Sequence, residues 1–216
     1  MHLDNLKGIT GHRTSGVGGV CCARQDVWRP NGLGDLQKGE RCVGIFKIFF
    51  LLFPIFTESS DNRFCNMDYI FLSAISGVAI LTILASYDIA CQWLIHFWAR
   101  VITIPARLQP TIAPNSLKAK IPKFHFDAHG KKNHAQYSFS YTRGAGRSDG
   151  EGIERCWSSL KGGAAQTTEM GPGARRDTLD DFCGWSNWRK MVDIGMCNVV
   201  IGPHLLTYTI PPSNDR

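Results

Sequence analysis

A chain of 216 residues that is 44% hydrophobic carries enough apolar surface for a real core and is long enough for one domain or slightly more. The 24 Lys and Arg against 18 Asp and Glu leave a net charge of +6, which tilts the partner toward anions such as nucleic acid. Eight cysteines without a C-x-x-C pair, and an N-terminus that does not read as a signal peptide, speak against a secreted disulfide scaffold and for reduced, mostly buried thiols in an intracellular compartment.

Residues 1–14 are polar and unpatterned. Residues 16–23 read as a glycine-led strand, and neither G-x-G-x-x-G nor GK[ST] is present to make a phosphate loop of it. A turn cluster follows at 29–35. The apolar run 43–56 is interrupted by Lys47 and Pro54. The stretch 69–86 is eighteen residues without a charge, which meets the length of a membrane span. A soluble reading divides it into a buried helix at 69–75, a break at Gly77 and a strand at 80–84, apolar on both faces as in a mixed or parallel sheet. The spacing of Trp93, Leu94, Phe97, Trp98 and Val101 predicts an amphipathic helix over 91–101, stopped near Pro105. A proline-punctuated connector spans 110–122, an extended segment 123–129, and 137–141 alternates aromatic and polar at the strand period. After a glycine-rich loop at 144–152 a helix carries Glu154 and Trp157. Residues 171–173 break the chain again, and a last helix at 178–192 holds Trp185 and Trp188; the three tryptophans read as core. This order of strands and helices points to an α/β domain.

Two acidic stretches carry the chemistry. One is Asp149-Gly150-Glu151-Gly152-Ile153-Glu154-Arg155 at the entrance to a helix; the other ends the apolar strand at Ser86-Tyr87-Asp88. Acids at the end of a buried strand and on a facing helix are what a two-metal phosphodiester site needs. Plainer roles compete. Asp88 could cap the helix after it, Asp149 could be the cap of the later helix, and Glu151 and Glu154 could be first-turn acids that favour its dipole. Arg175 and Arg176 with Asp177, Asp180 and Asp181 read as a surface charge cluster. Between 117 and 150, Lys118, Lys120, Lys123, Lys131, Lys132, Arg143 and Arg147 stand against Asp127 and Asp149 only; the stretch is either a solvated basic face or a phosphate-contacting strip. His125 and His129 make an H-x-x-x-H pair without cysteine partners, a weak pattern for zinc.

Several stretches taken together resemble the KDZ (Kyakuja–Dileera–Zisupton) transposases. They are residues 16–24, 29–41, 65–69, Ser86-Tyr87-Asp88-Ile89-Ala90-Cys91-Gln92, Lys123-Phe124-His125 through His129-Gly130, the 149–155 motif and 169–181. The resemblance covers roughly two thirds of the chain in an unbroken order. It implies an incomplete RNase H-like α/β domain over 1–195, with additional helices and a loop-rich C-terminal part, followed by a divergent tail at 196–216. It also implies an acidic DDE-type triad acting on DNA. By position, Asp88 matches the second acid, and Glu154, or less readily Glu151, the helical one; Asp88 and Glu154 are the implied metal ligands. The implied mechanism is phosphodiester cleavage and strand transfer, in which carboxylates hold two Mg²⁺ ions about 4 Å apart. The basic residues would hold phosphates, and His125 and His129 would orient DNA or assist a metal site. DNA is the implied partner and the nucleus the implied location. A homo-oligomer is allowed, and neither a small-molecule substrate nor a membrane is called for.

Two departures qualify the resemblance. The family's first catalytic Asp lies on a strand upstream of everything matched, and none of Asp4, Asp26 or Asp35 stands in a matching context. The expectation is therefore a site one ligand short, which binds metal poorly and is close to inactive. The 22 residues 42–63 interrupt a region that the family crosses almost directly, either as a retained intron or as a lipophilic segment packed on the core. Two other functional readings stand beside this one: a non-catalytic DNA-binding remnant, and a membrane-anchored protein using 43–56 and 69–86.

Overall fold

The computed structural model describes residues 14–37, 64–77, 82–129, 134–164, 166–196, 200–201 and 204–205. The 42–63 interval, the apolar run 43–56 and the basic residues Lys131 and Lys132 lie outside the described residues.

Strand β1 (Thr14–Cys21) pairs antiparallel with β2 (Trp28–Gln37), with Gly18 opposite Gly34. Residues 29–35 are therefore strand and not the turn cluster that their Pro, Asn and Gly suggest. The glycines serve a helix–sheet contact instead. Helix α1 (Cys65–Ile75) packs so close that a Cβ at Gly34 would lie 2.9 Å from the Ile70 side chain, and one at Gly18 2.7 Å from Met67 Sδ. Asn31 takes up the local irregularity with φ 54°.

Strand β3 (Ile83–Ser86) pairs in parallel with β4 (Leu117–Lys120), from Ile83 opposite Leu117 to Ser86 opposite Lys120. The Tyr87 N–H donates to the Lys120 carbonyl at 2.9 Å and carries the pairing up to Asp88. Parallel neighbours need a crossover, here made by α2 (Ala90–Trp93) and α3 (Phe97–Val101). The single helix expected over 91–101 is broken, and Arg100 is part of the reason. Its Nη2 donates to the Trp93 carbonyl at 2.9 Å, an acceptor that a continuous helix would give to the Phe97 amide; that amide points instead to the Leu94 carbonyl at 3.4 Å. Arg100 is held there by Asp68, which is fully buried in α1. Asp68 accepts from Arg100 Nε at 2.5 Å and Nη2 at 3.2 Å, and from Trp93 Nε1 at 2.6 Å. Phe97, Leu72, Trp93, Ile89, Leu117 and Ile121 form the main core around this pair.

Residues 123–129 are not extended: α4 (Lys123–Phe126) is one helical turn. Its first amides find partners outside it, Lys123 N–H on the Asp149 carbonyl at 2.8 Å and Phe124 N–H on Glu151 Oε1 at 2.9 Å. The alternating 137–141 segment is also not a strand. Short 3₁₀ turns occupy 135–137 and 139–141, and Ser138 between them forms an isolated parallel bridge with Ile121, the residue after β4. Ser138 favours the turn because its hydroxyl accepts from Ser140 N–H and its carbonyl from Thr142 Oγ1.

Two longer helices follow, α5 (Gly152–Ala164) and α6 (Pro172–Met196), so the described residues between 152 and 196 are largely helical. Pro172 opens α6 because the first helical position needs no amide donor. Trp28, Cys156, Leu160 and Cys183 form a second buried cluster between the β1–β2 pair and these helices. Trp157 lies partly buried against Trp28, with ring centroids 4.9 Å apart. Trp185 and Trp188 are not core: they stack on each other at 5.1 Å, each 57% exposed, on the outer face of α6. Of the six described cysteines only Cys156 and Cys183 are buried, and no disulfide joins any of the six. Strands β5 (Val200–Ile201) and β6 (His204–Leu205) form a small antiparallel pair. The whole is a mixed helix and strand arrangement with small sheets. Among the described residues no helix is long and apolar enough to cross a membrane, and the described part of 69–86 is helix, turn and strand.

Candidate active site

Three elements bring the acids together. Asp88 stands two residues beyond β3, His125 lies in α4, and Glu154 in the first turn of α5. One donor atom from each lies within 4.8 Å of the other two. His125 Nε2 is 3.7 Å from Asp88 Oδ1; both side chains are largely shielded, whereas Glu154 is exposed. Two carboxylates and an imidazole at this spacing, open to solvent on one side, can hold a divalent cation. The N-cap position of α2 is Ile89 and not Asp88.

Glu151 does something different. Its carboxylate accepts the Phe124 amide and so ties α4 to the entrance of α5. The neighbouring loop adds two further ties, from Lys123 N–H to the Asp149 carbonyl and from Ser86 Oγ to the Gly150 carbonyl at 2.8 Å. Gly150 is required here, at φ +79°, because a Cβ would meet Phe139 and Ser86 Oγ at 2.5 Å. Strand end, α4 and α5 thus converge on one loop.

Arg155 anchors the same helix on its other side. It donates to Asp26 at 2.6 and 3.2 Å and to Asp149 at 2.9 Å. These carboxylates, Asp26 first and then Asp149, hold its guanidinium above the usual arginine value. Asp149 accepts the Glu151 amide at 2.9 Å, as a helix-entrance acid should. That bond, ahead of Arg155, holds the Asp149 carboxyl below the usual carboxylate range. Asp26 is engaged with Arg155, and Asp35 forms an ion pair with Arg175.

The basic residues do not all have the same standing. Lys118 on β4, Lys123 on α4, and Arg143 and Arg147 in the loop before α5 are exposed. Lys120 is half-buried and donates to the Gln136 carbonyl; burial, and then Lys118, depress its ammonium below the ordinary lysine value.

The H-x-x-x-H pair is split between two groups. His125 faces Asp88 and Glu154, whereas His129 joins Cys91 and His134, again with donor atoms within 4.8 Å of one another. Sequence reasoning alone misses Cys91 and His134. For Cys91 the one local signal is the D-x-x-C spacing to Asp88; His134 has none.

A family model described as Kyakuja-Dileera-Zisupton transposase matches residues 59–187, more than half of the chain, and includes Asp88, His125, Glu151 and Glu154. Comparison with curated proteins and with solved structures gives no match.

Proposed function

The chain belongs to the Kyakuja-Dileera-Zisupton transposase family, and from that premise we propose that residues 1–195 form a DNA-acting domain of RNase H-like descent whose ion site is built on Asp88 and Glu154. The observation that carries this reading is the convergence of Asp88, His125 and Glu154 from three elements onto one point. The donor set fits a divalent ion, with carboxylates suited to Mg²⁺ or Mn²⁺ and the imidazole favouring the latter. When bound, such an ion supplies Lewis-acid activation of the attacking oxygen and charge stabilisation at the phosphate.

The chain's own residues have separable roles in this reading. Asp88 and Glu154 hold the ion. His125, whose Nε2 lies 3.7 Å from Asp88 Oδ1, completes the donor set as the third ligand. Glu151 is a positioning residue, because its contact is with the α4 backbone. Lys118, Lys123, Arg143 and Arg147 contact phosphates, joined by Lys131 and Lys132. Lys120 contributes less, being engaged with Gln136. The group on hand has two carboxylates where a DDE site has three. On this reading, which rests on the described residues alone, the domain binds an ion and DNA, acts in the nucleus, and shows little DNA cleavage of its own.

The test is a pair of assays on the full chain. Binding to duplex DNA is expected at low salt and should fall steeply as salt rises. Nicking of supercoiled DNA in Mg²⁺ should not exceed that of Asp88→Ala. Mg²⁺-dependent nicking abolished by Asp88→Ala would overturn the inactivity, and absence of DNA binding at low salt would overturn the DNA-acting role.

A further inference from the structure

We infer that Cys91, His129 and His134 form a second, thiolate-containing metal site that takes zinc and braces the two walls of the Asp88–Glu154 site. The three donors come from separate segments: Cys91 from α2, His129 from the turn after α4, and His134 from the residue before the 135–137 turn. All three side chains are half-buried, and one donor atom of each lies within 4.8 Å of the other two. The Cys91 Sγ to His129 Nδ1 distance is 3.6 Å. In a tetrahedral zinc site with ordinary Zn–S and Zn–N bonds, sulfur and nitrogen stand about 3.5 Å apart. This edge of the site is thus already at its metal-bound length. The imidazoles of His129 and His134 are tilted at 44° with centroids 5.5 Å apart, so they are not stacked flat against each other.

Donor chemistry separates this group from its neighbour. One thiolate and two imidazoles select zinc over Mg²⁺, whereas the neighbouring group, with two carboxylates and one imidazole, also accepts hard ions such as Mg²⁺ and Mn²⁺. Placement gives it a purpose. Cys91 follows Asp88 by three residues, in α2, and His129 follows His125 by four, in the turn after α4. A metal joining Cys91 to His129 would fix α2, which follows Asp88, to the turn after α4, the helix that carries His125. Three protein donors leave the fourth position of the tetrahedron to water. Binding releases the Cys91 proton to solvent, and nothing is oxidised or reduced.

The test uses the full chain, expressed and purified without chelator. Metal analysis is expected to give one zinc per chain. Replacement by Co²⁺ should give a sulfur-to-cobalt charge-transfer band in the near ultraviolet. Cys91→Ser should abolish that band, and His134→Asn should weaken zinc binding by about 10-fold or more, since loss of a ligand exceeds the usual effect of losing an outer-shell partner. Asp88→Asn should leave zinc content and the band unchanged, which separates this site from the neighbouring one. The inference is overturned if the wild-type chain holds no stoichiometric zinc, if the band survives in Cys91→Ser, or if His134→Asn, shown folded by circular dichroism, binds zinc as wild type does. It is overturned equally if zinc and the band disappear in a folded Asp88→Asn, for then the metal sits at the other group.

Discussion

Asp68 is a buried charge packed beside the main core. It is a fully buried carboxylate, and Arg100 and the Trp93 indole are its neutralising and hydrogen-bonding partners. Removing one member of such a pair leaves a buried charge without its counter-ion, which costs about 3–5 kcal/mol. Asp68→Ala is expected to lose stability on that scale in urea unfolding, with little change in the slope of the transition. Asp149 gives a milder and pH-dependent case. Its carboxyl is depressed in the folded chain, chiefly by the Glu151 amide. A depressed folded value means that the stabilisation is fully present above the unfolded carboxylate range near pH 4, and is lost as pH falls through the lower folded value. Asp149→Asn should therefore melt below wild type at neutral pH, and the gap in melting temperature should close on acidification. The side chain is half-exposed, so solvent screening keeps the effect small.

At the scale of elements, the junction at Gly150 decides whether the acids meet. A side chain there has no room against Phe139 and Ser86, and the backbone angle disfavours one. Gly150→Ala is expected to separate the end of β3 from the start of α5. Divalent-ion binding should fall while far-ultraviolet circular dichroism stays near wild type; ion binding equal to wild type would contradict this. Parts of this arrangement are legible in the sequence and parts are not. The acids of 149–155 stand out because the motif is local, and the apolar run before Asp88 gives away its strand. Strand β2 is hidden because its glycines and proline carry a turn signature, and their packing role shows only once Met67 and Ile70 are set against them. The turn at α4 is hidden as well, since its first amides are satisfied by Asp149 and Glu151, more than twenty residues away. The same reason conceals the Cys91 group: Cys91 and His129 stand 38 positions apart in the chain and meet only in the folded molecule. The exposed Trp185 and Trp188 mislead in the other direction, because large aromatic residues usually signal a core.

Across the whole molecule, the positive charge is the feature that connects fold to partner. If Lys118 and Lys123 bind phosphates, replacing both by Ala should weaken DNA binding across all sequences and reduce the salt slope by about one for each phosphate no longer neutralised. Lys120→Ala should change the slope less, because that ammonium is already directed at the Gln136 carbonyl. The central claim is narrower: Asp88 and Glu154 hold a divalent ion in common. It is tested most directly by Mn²⁺ titration of the zinc-saturated chain, followed by electron paramagnetic resonance. Asp88→Asn and Glu154→Gln should each weaken binding by about 10-fold or more, and Glu151→Gln should weaken it less, because that side chain acts through α4. Binding by both Asp88→Asn and Glu154→Gln at the wild-type level would contradict the claim.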